Sequence, residues 1–250
     1  MNTVPREQFF LDEQEDTIHN NQIELKTAKD KRANWWYYHK FHVLGAIVVI
    51  ALIATLVYSF VSKVSPDYAI GLITQQDYSS DVVEKLEQEL KAYADDRNGD
   101  GQVVVQVNSY AVNQTDVQMQ QANVVRLIGD ATSFDTVLYL SDLDSFEWLQ
   151  EQNDIFFAYT DGTTPEEGAA DFENMRVNWA DCKALSNMDL SIDMLNAEQA
   201  QKYMDPLALS LRVIDGTQFI NDEKNVKYYQ DCQALMQRLI SGEKAENSGK

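Results

Sequence analysis

Twenty consecutive residues, Val43 to Ser62, carry no charge (VLGAIVVIALIATLVYSFVS). At a rise of about 1.5 Å per residue such a run makes a helix roughly 30 Å long, the thickness of a bilayer's hydrocarbon core. A buried helix of a soluble fold is the other reading, and uncharged runs of this length point away from it. Trp35-Trp36-Tyr37-Tyr38, then His39 and Lys40, precede the run. Aromatic rings favour the headgroup level, so this cluster marks one membrane interface. Tyr58 and Phe60 are candidates for the opposite one. A cleavable signal peptide fits less well: the stretch before the run and the run itself are both too long, and no clean A-x-A site follows. The expectation is an uncleaved anchor over residues 41–63, in contact with the lipid bilayer through Val43–Ser62.

The charge divides at the same place. The chain of 250 residues holds 40 Asp+Glu and 20 Lys+Arg, a net charge of −20. Residues 1–65 contain seven acidic and seven basic residues, so the whole imbalance falls on residues 66–250. Nucleic acid is excluded as a partner, because its binding is driven by cations meeting phosphates. Lys29, Lys31, Arg32 and Lys40 flank the amino end of the apolar run, and only Lys63 lies close on the other side. The positive-inside rule then predicts a cytoplasmic N terminus and an extracellular C-terminal domain at the cell membrane. Residues 1–40 have mixed charge and few sustained apolar positions, which predicts a disordered cytoplasmic tail. Residues 67–242 read as one extracellular domain, and 243–250 as a polar tail.

Within that domain strands and helices alternate. Tyr68–Thr74 (YAIGLIT) reads as a buried strand. Ser79–Asp95 reads as a helix with Val82, Val83, Leu86, Leu90 and Tyr93 on one face and an Asp81/Glu84 cap. Gln102–Val112 is β-branched and strand-like. Thr115-Asp116-Val117-Gln118 opens a helix with Val117, Val124, Val125 and Ile128 inward. Phe134–Leu140 and Asp154–Tyr159 read as strands, with Asp144–Gln152 a short helix between them. After Thr160 the pattern weakens. Asp193–Met204 reads as a helix, Leu207–Ile214 as a strand, and Asp222–Ser241 as a helix burying Val226, Tyr229, Cys232, Leu235, Met236 and Leu239. Repeated β-helix-β units predict an α/β fold with a mainly parallel sheet and helices on both faces, of the Rossmann-like or periplasmic-binding-protein-like kind.

Such sheets bind ligands outside the carboxyl ends of their strands. Here those ends bring Thr74, Gln75, Gln76, Asp77 and Tyr78, then Asn108 and Tyr110, then Asp142, a polar and aromatic set suited to a small hydrogen-bonding solute. Two readings stay open for Asp96-Arg97-Asn98-Gly99-Asp100-Gly101-Gln102. It matches D-x-[DN]-x-[DN]-G, the first half of a calcium loop, with Asp96, Asn98, Asp100 and Gln102 as ligands. It lacks the closing Glu, because Val107 stands at position 12, and a helix-to-strand turn explains the same glycines. Cys182 and Cys232 admit a disulfide on an oxidising face, or two buried thiols. Trp148 and Trp179 read as packing residues.

The segment WWYYHKFHVLGAIVVIALI, with its YYxKxHxxG pattern, resembles the start of a Gram-positive type of membrane-anchored exported bacterial protein. YAIGLIT, KLEQELKAYADDRNGDGQVVVQVNSY and FDTVLYLSD are similar to the first lobe of extracellular solute-binding proteins. The resemblance covers roughly residues 35–62 and 68–142, and it implies a binding or interaction module more than an enzyme.

The three histidines, His19, His39 and His42, all precede residue 43. Residues 66–250 therefore hold no Ser-His-Asp or Cys-His arrangement and no His-containing zinc site. The phosphate-cradling patterns G-x-x-x-x-G-K-[ST] and G-x-G-x-x-G are absent. The expectation is a non-catalytic, membrane-tethered binding module without an obligate cofactor, calcium being the one candidate. An accessory subunit of a transporter or envelope complex is the alternative, and a carboxylate-dependent hydrolase the weaker one.

Overall fold

The computed structural model describes residues 27–61, 65–113, 116–153 and 155–246. The chain forms two units, 1–63 and 64–250. In the first, helix α1 (Ala28–Val61) runs for 34 residues and is long and apolar enough to cross a membrane. It starts well before the apolar run, so residues 28–40 are helical where a disordered tail is expected from composition. A local reason is visible at the start. The Thr27 N–H donates to Asp30 Oδ2 at 3.3 Å, and the Asp30 N–H donates to Thr27 Oγ1 at 3.2 Å, a reciprocal cap. The Trp35 and His39 rings stack at 4.9 Å along the helix. Residues 1–26, Ser62, Lys63 and the side chains of Tyr58 and Phe60 lie outside the described residues.

The second unit is an α/β domain with a five-stranded sheet of order β2-β1-β3-β5-β4. Its strands are β1 (Tyr68–Thr74), β2 (Val105–Ala111), β3 (Thr136–Ser141), β4 (Arg176–Asn178) and β5 (Ala208–Leu211). β1 is buried at all seven positions and pairs in parallel with β2 on one side and β3 on the other. Tyr68, Ile70 and Leu72 enter one core and Ile73 the other, as a period of two requires.

Helices cover both faces. One core gathers α2 (Ser80–Leu90), α5 (Lys183–Ser186), α6 (Ala197–Met204) and α7 (Glu223–Ser241) against the sheet; the other gathers α3 (Val117–Ser133) and α4 (Leu143–Glu151). The apolar stripe of α7 is as its spacing predicts, with Tyr229, Cys232, Leu235, Met236 and Leu239 buried. Asp222 caps it by accepting the Lys224 N–H at 2.9 Å.

The sheet is mixed, not mainly parallel. β5 runs antiparallel to both β3 and β4, because the chain passes first to the edge as β4 and then returns between β3 and β4. Alternating hydrophobicity reports a buried strand but not its direction. The segment Asp154–Tyr159, read as a strand, makes one isolated bridge, Phe157 to Arg212, with Asp154 itself outside the described residues. α2 begins at Ser80 behind Ser79, so the Asp81/Glu84 cap is not used. α3 departs most from its periodicity: Leu127 is its buried residue, while Val117, Val125 and Ile128 are exposed and Val124 is half-buried. Asp116 caps α3, accepting from Gln118 and Met119; Thr115 lies outside the described residues.

Gly71 sets the spacing of β1 and β3. A Cβ at this position would lie 2.5 Å from Cδ1 of the fully buried Tyr139. Gly71→Ala is expected to cost about 1–3 kcal/mol through overpacking, read as a lower urea midpoint by near-ultraviolet circular dichroism. An unchanged midpoint would mean that the Tyr139 ring yields without cost.

Candidate functional site

The carboxyl edge of the sheet is laced together by its own polar groups. Asp142 follows β3 and caps α4 by accepting the Ser145 N–H at 2.8 Å. Its other oxygen accepts the Gln75 N–H at 2.8 Å, and Gln75 Nε2 donates to Ser145 Oγ at 3.1 Å. Thr74 is buried and donates its hydroxyl to the Gln76 carbonyl at 2.6 Å. The Tyr78 and Tyr203 rings meet at 4.5 Å with a 39° tilt, Tyr78 donates to the Tyr203 carbonyl, and the Tyr203 hydroxyl reaches the Asp77 carbonyl at 3.4 Å. Burial and the neighbouring Tyr203 and Asp142 hold the Tyr78 phenol well above its ordinary pKa.

Two of the eight expected residues lie elsewhere. Tyr110 is fully buried and donates to the Asp130 carboxylate of α3, with its phenol pKa raised by burial and then by that bond. Asn108 accepts from Arg126 at 3.2 Å and borders a polar depression of about 490 Å³ shared with Asp67, Arg97 and Lys224. The strand carries these two side chains away from the carboxyl edge.

The Asp96–Gln102 segment is a chain of side-chain-to-backbone turns. Asp96 accepts from the N–H groups of Gly99 and Gly101, Asn98 from Asp100, and Asp100 from Gln102, all at 2.7–2.8 Å. Gly99 and Gly101 have φ of 75° and 84°, the left-handed region that these turns need. Asp67 pins the turn to the start of β1 by accepting from Arg97, Asn98 and Val104. Arg97 pairs with Asp231 at 2.8 Å and lies 4.4 Å from the Tyr228 ring centroid.

Cys182 and Cys232 are separate buried thiols in the same apolar core, not the bridged pair that an oxidising compartment allows. Each fills space on a packed element, and burial pushes the Cys182 thiol up to about 12. Trp179 is likewise a core residue, and its indole N–H donates to Gln201 at 2.8 Å.

A concavity lies between α3 and α4, on the face with the smaller core. It encloses about 580 Å³ and is walled by Val124, Ile128, Trp148, Phe156 and Phe219, with Arg212 as the charged residue of its lining. Small-ligand sites fall in the range of roughly 300–1,000 Å³. Arg212 is 9% exposed and its NH1 donates to the carbonyl of Ala131, near the end of α3. The rings of Phe134, Phe156 and Phe219 surround its guanidinium at 5.0–5.2 Å. No carboxylate pairs with it among the described residues. Burial draws its pKa down, and the Tyr139 phenol partly opposes this. Phe134, which ends α3, holds a left-handed φ of 63° and stacks on Phe219 at 4.5 Å.

These observations define an α/β protein with a mixed five-stranded sheet, an apolar groove and one long apolar helix. No protein family, curated protein or solved structure matches the chain. The groove residues escape a reading based on strand ends, because α3, α4 and two loops build its walls. One sequence signal does mark the place: Arg212 is the one charged residue in the run Leu207–Ile214.

Asp142 joins two elements through one carboxylate. Asp142→Ala is expected to lower stability by about 1–2 kcal/mol, and Asp142→Asn by less, since an acceptor remains for the Ser145 N–H. Thermal unfolding of both variants checks this, and equal losses would contradict the cap.

Proposed function

We propose that this chain is a membrane-tethered, non-catalytic binding module that captures a small, largely apolar solute outside the cell. The observation that carries the reading is the groove between α3 and α4. Its volume suits a small molecule, and its walls are mostly side chains that water solvates poorly. α1 supplies the tether, and the lysines and arginine at its amino end favour a cytoplasmic N terminus. The absence of histidine from residues 66–250 supports binding over acid-base catalysis. The solute-binding resemblance of residues 68–142 agrees with a capture role, with the pocket moved from the strand ends to the helical face.

A thermal-shift screen of small apolar compounds against the full chain in lipid nanodiscs tests the groove. A ligand at about a hundredfold excess over its Kd stabilises by about 2.7 kcal/mol, a Tm rise of roughly 5–10 °C. The rise should saturate and should vanish in Val124→Trp, which fills the groove. No saturable shift with any compound would favour an accessory subunit of a membrane complex instead.

Orientation has its own test. Protease added to intact cells is expected to remove residues 66–250, and their survival would reverse the topology.

A further inference from the structure

We infer that the groove between α3 and α4 takes a small molecule with an apolar body and a single carboxylate, which pairs with Arg212. This rests on the binding reading above and names the chemical class of its ligand. The argument begins with the side chain's hydrogen-bonding capacity. A guanidinium carries five N–H donors in one plane. The structure engages NH1 with the Ala131 carbonyl and offers no carboxylate among the described residues. The three phenylalanine rings attract the cation but accept no hydrogen bond in its plane.

The end of α3 contributes a partial charge of about −0.5, which steadies the cation without neutralising it. A carboxylate meeting its remaining donors forms a charge-assisted pair on a side chain that is nine-tenths shielded from solvent. The lining also fixes the ligand's charge. Arg212 is its one charged residue, so a monoanion balances it while a phosphate dianion leaves a surplus negative charge among apolar walls. Val124, Ile128, Trp148 and Phe156 favour an apolar remainder for the ligand, with Thr132, Gln152 and Asn153 among the polar residues beside them.

The test is equilibrium dialysis of 3-phenylpropionate, 3-phenylpropan-1-ol and 3-phenylpropylamine against the full chain in lipid nanodiscs, with empty nanodiscs subtracted. The acid should be held at least about tenfold more tightly than the alcohol, as a charged hydrogen-bonded contact implies, and the amine should not be retained. Arg212→Met should bring the acid down to the level of the alcohol without changing the alcohol. Arg212→Lys should keep part of the preference, and Val124→Trp should abolish binding of both.

Equal retention of acid and alcohol by the native chain, or an undiminished acid preference in Arg212→Met, overturns the carboxylate assignment and leaves the groove reading standing. Retention unaffected by Val124→Trp, or no retention of any of the three, overturns both. Should Arg212→Met fail to fold by circular dichroism, the acid-to-alcohol ratio of the native chain decides alone.

Discussion

Burial of β1 on both faces is the constraint from which the rest of the domain follows. All seven residues of Tyr68–Thr74 are shielded, so neither face of the strand can be left to water. Each large apolar side chain placed there contributes about 1.5–3 kcal/mol, and the gain is realised only if helices close over both sides. β2 and β3 satisfy its backbone as parallel neighbours. Parallel neighbours need crossover connections, and α2 and α3 are those connections. The direction of the first three strands and the presence of helices on both faces therefore have one cause.

The two faces are closed unequally. The core beneath α2, α5, α6 and α7 gathers thirty buried residues, while the core beneath α3 and α4 gathers ten, five of them aromatic. Aromatic rings fill that smaller core as a lattice of edges and faces. Phe146 stacks on Phe157 at 4.5 Å, and Tyr139 meets Phe156 and Phe157 edge-on at 5.5 and 5.7 Å. Gly71 admits the Tyr139 ring against β1. Above this lattice α3 buries Leu127 and leaves Ile128 and Val125 exposed, so the helix roofs the core without sealing its margin. The groove is that unsealed margin. Arg212 closes the end of α3 through the Ala131 carbonyl and also lines the groove, so one side chain serves the fold and the site together.

What the chain discloses locally and what it withholds separate along physical lines. The apolar run, the capped α7 and the strand β1 are written in contiguous residues whose period or length admits few alternatives. Strand direction is not written there. Leu207–Ile214 alternates in the same way whether β5 runs with β3 or against it, and the antiparallel outcome depends on β4 taking the edge first. The outward face of α3 is a second case. Val117, Val125 and Ile128 have the spacing of a buried stripe, yet Leu127 is the α3 residue buried in the smaller core, with Ala131 packed at its edge. The candidate site follows the same division. Asp142 and Gln75 lie at strand ends as the topology predicts, but Asp142 spends its oxygens on the Ser145 and Gln75 N–H groups. The groove is built from segments distant in sequence, and its one local signal is the charge of Arg212 immediately after β5.

Charge at two length scales sharpens the proposed selectivity. Residues 66–250 carry a net −20, a field that thins the local population of anions around the domain. That repulsion decays over a Debye length of about 8 Å at physiological ionic strength. Arg212 acts at contact range, in a site where solvent screens it little. A small inorganic anion meets the outer repulsion, stays fully hydrated and gains nothing from the groove's apolar walls. A carboxylate attached to an apolar body meets the same repulsion but recovers it by burying that body against Val124, Ile128 and Trp148. In the proposed binding mode the acidic exterior and Arg212 therefore act as successive filters, the first against anions in general and the second in favour of those that are also apolar.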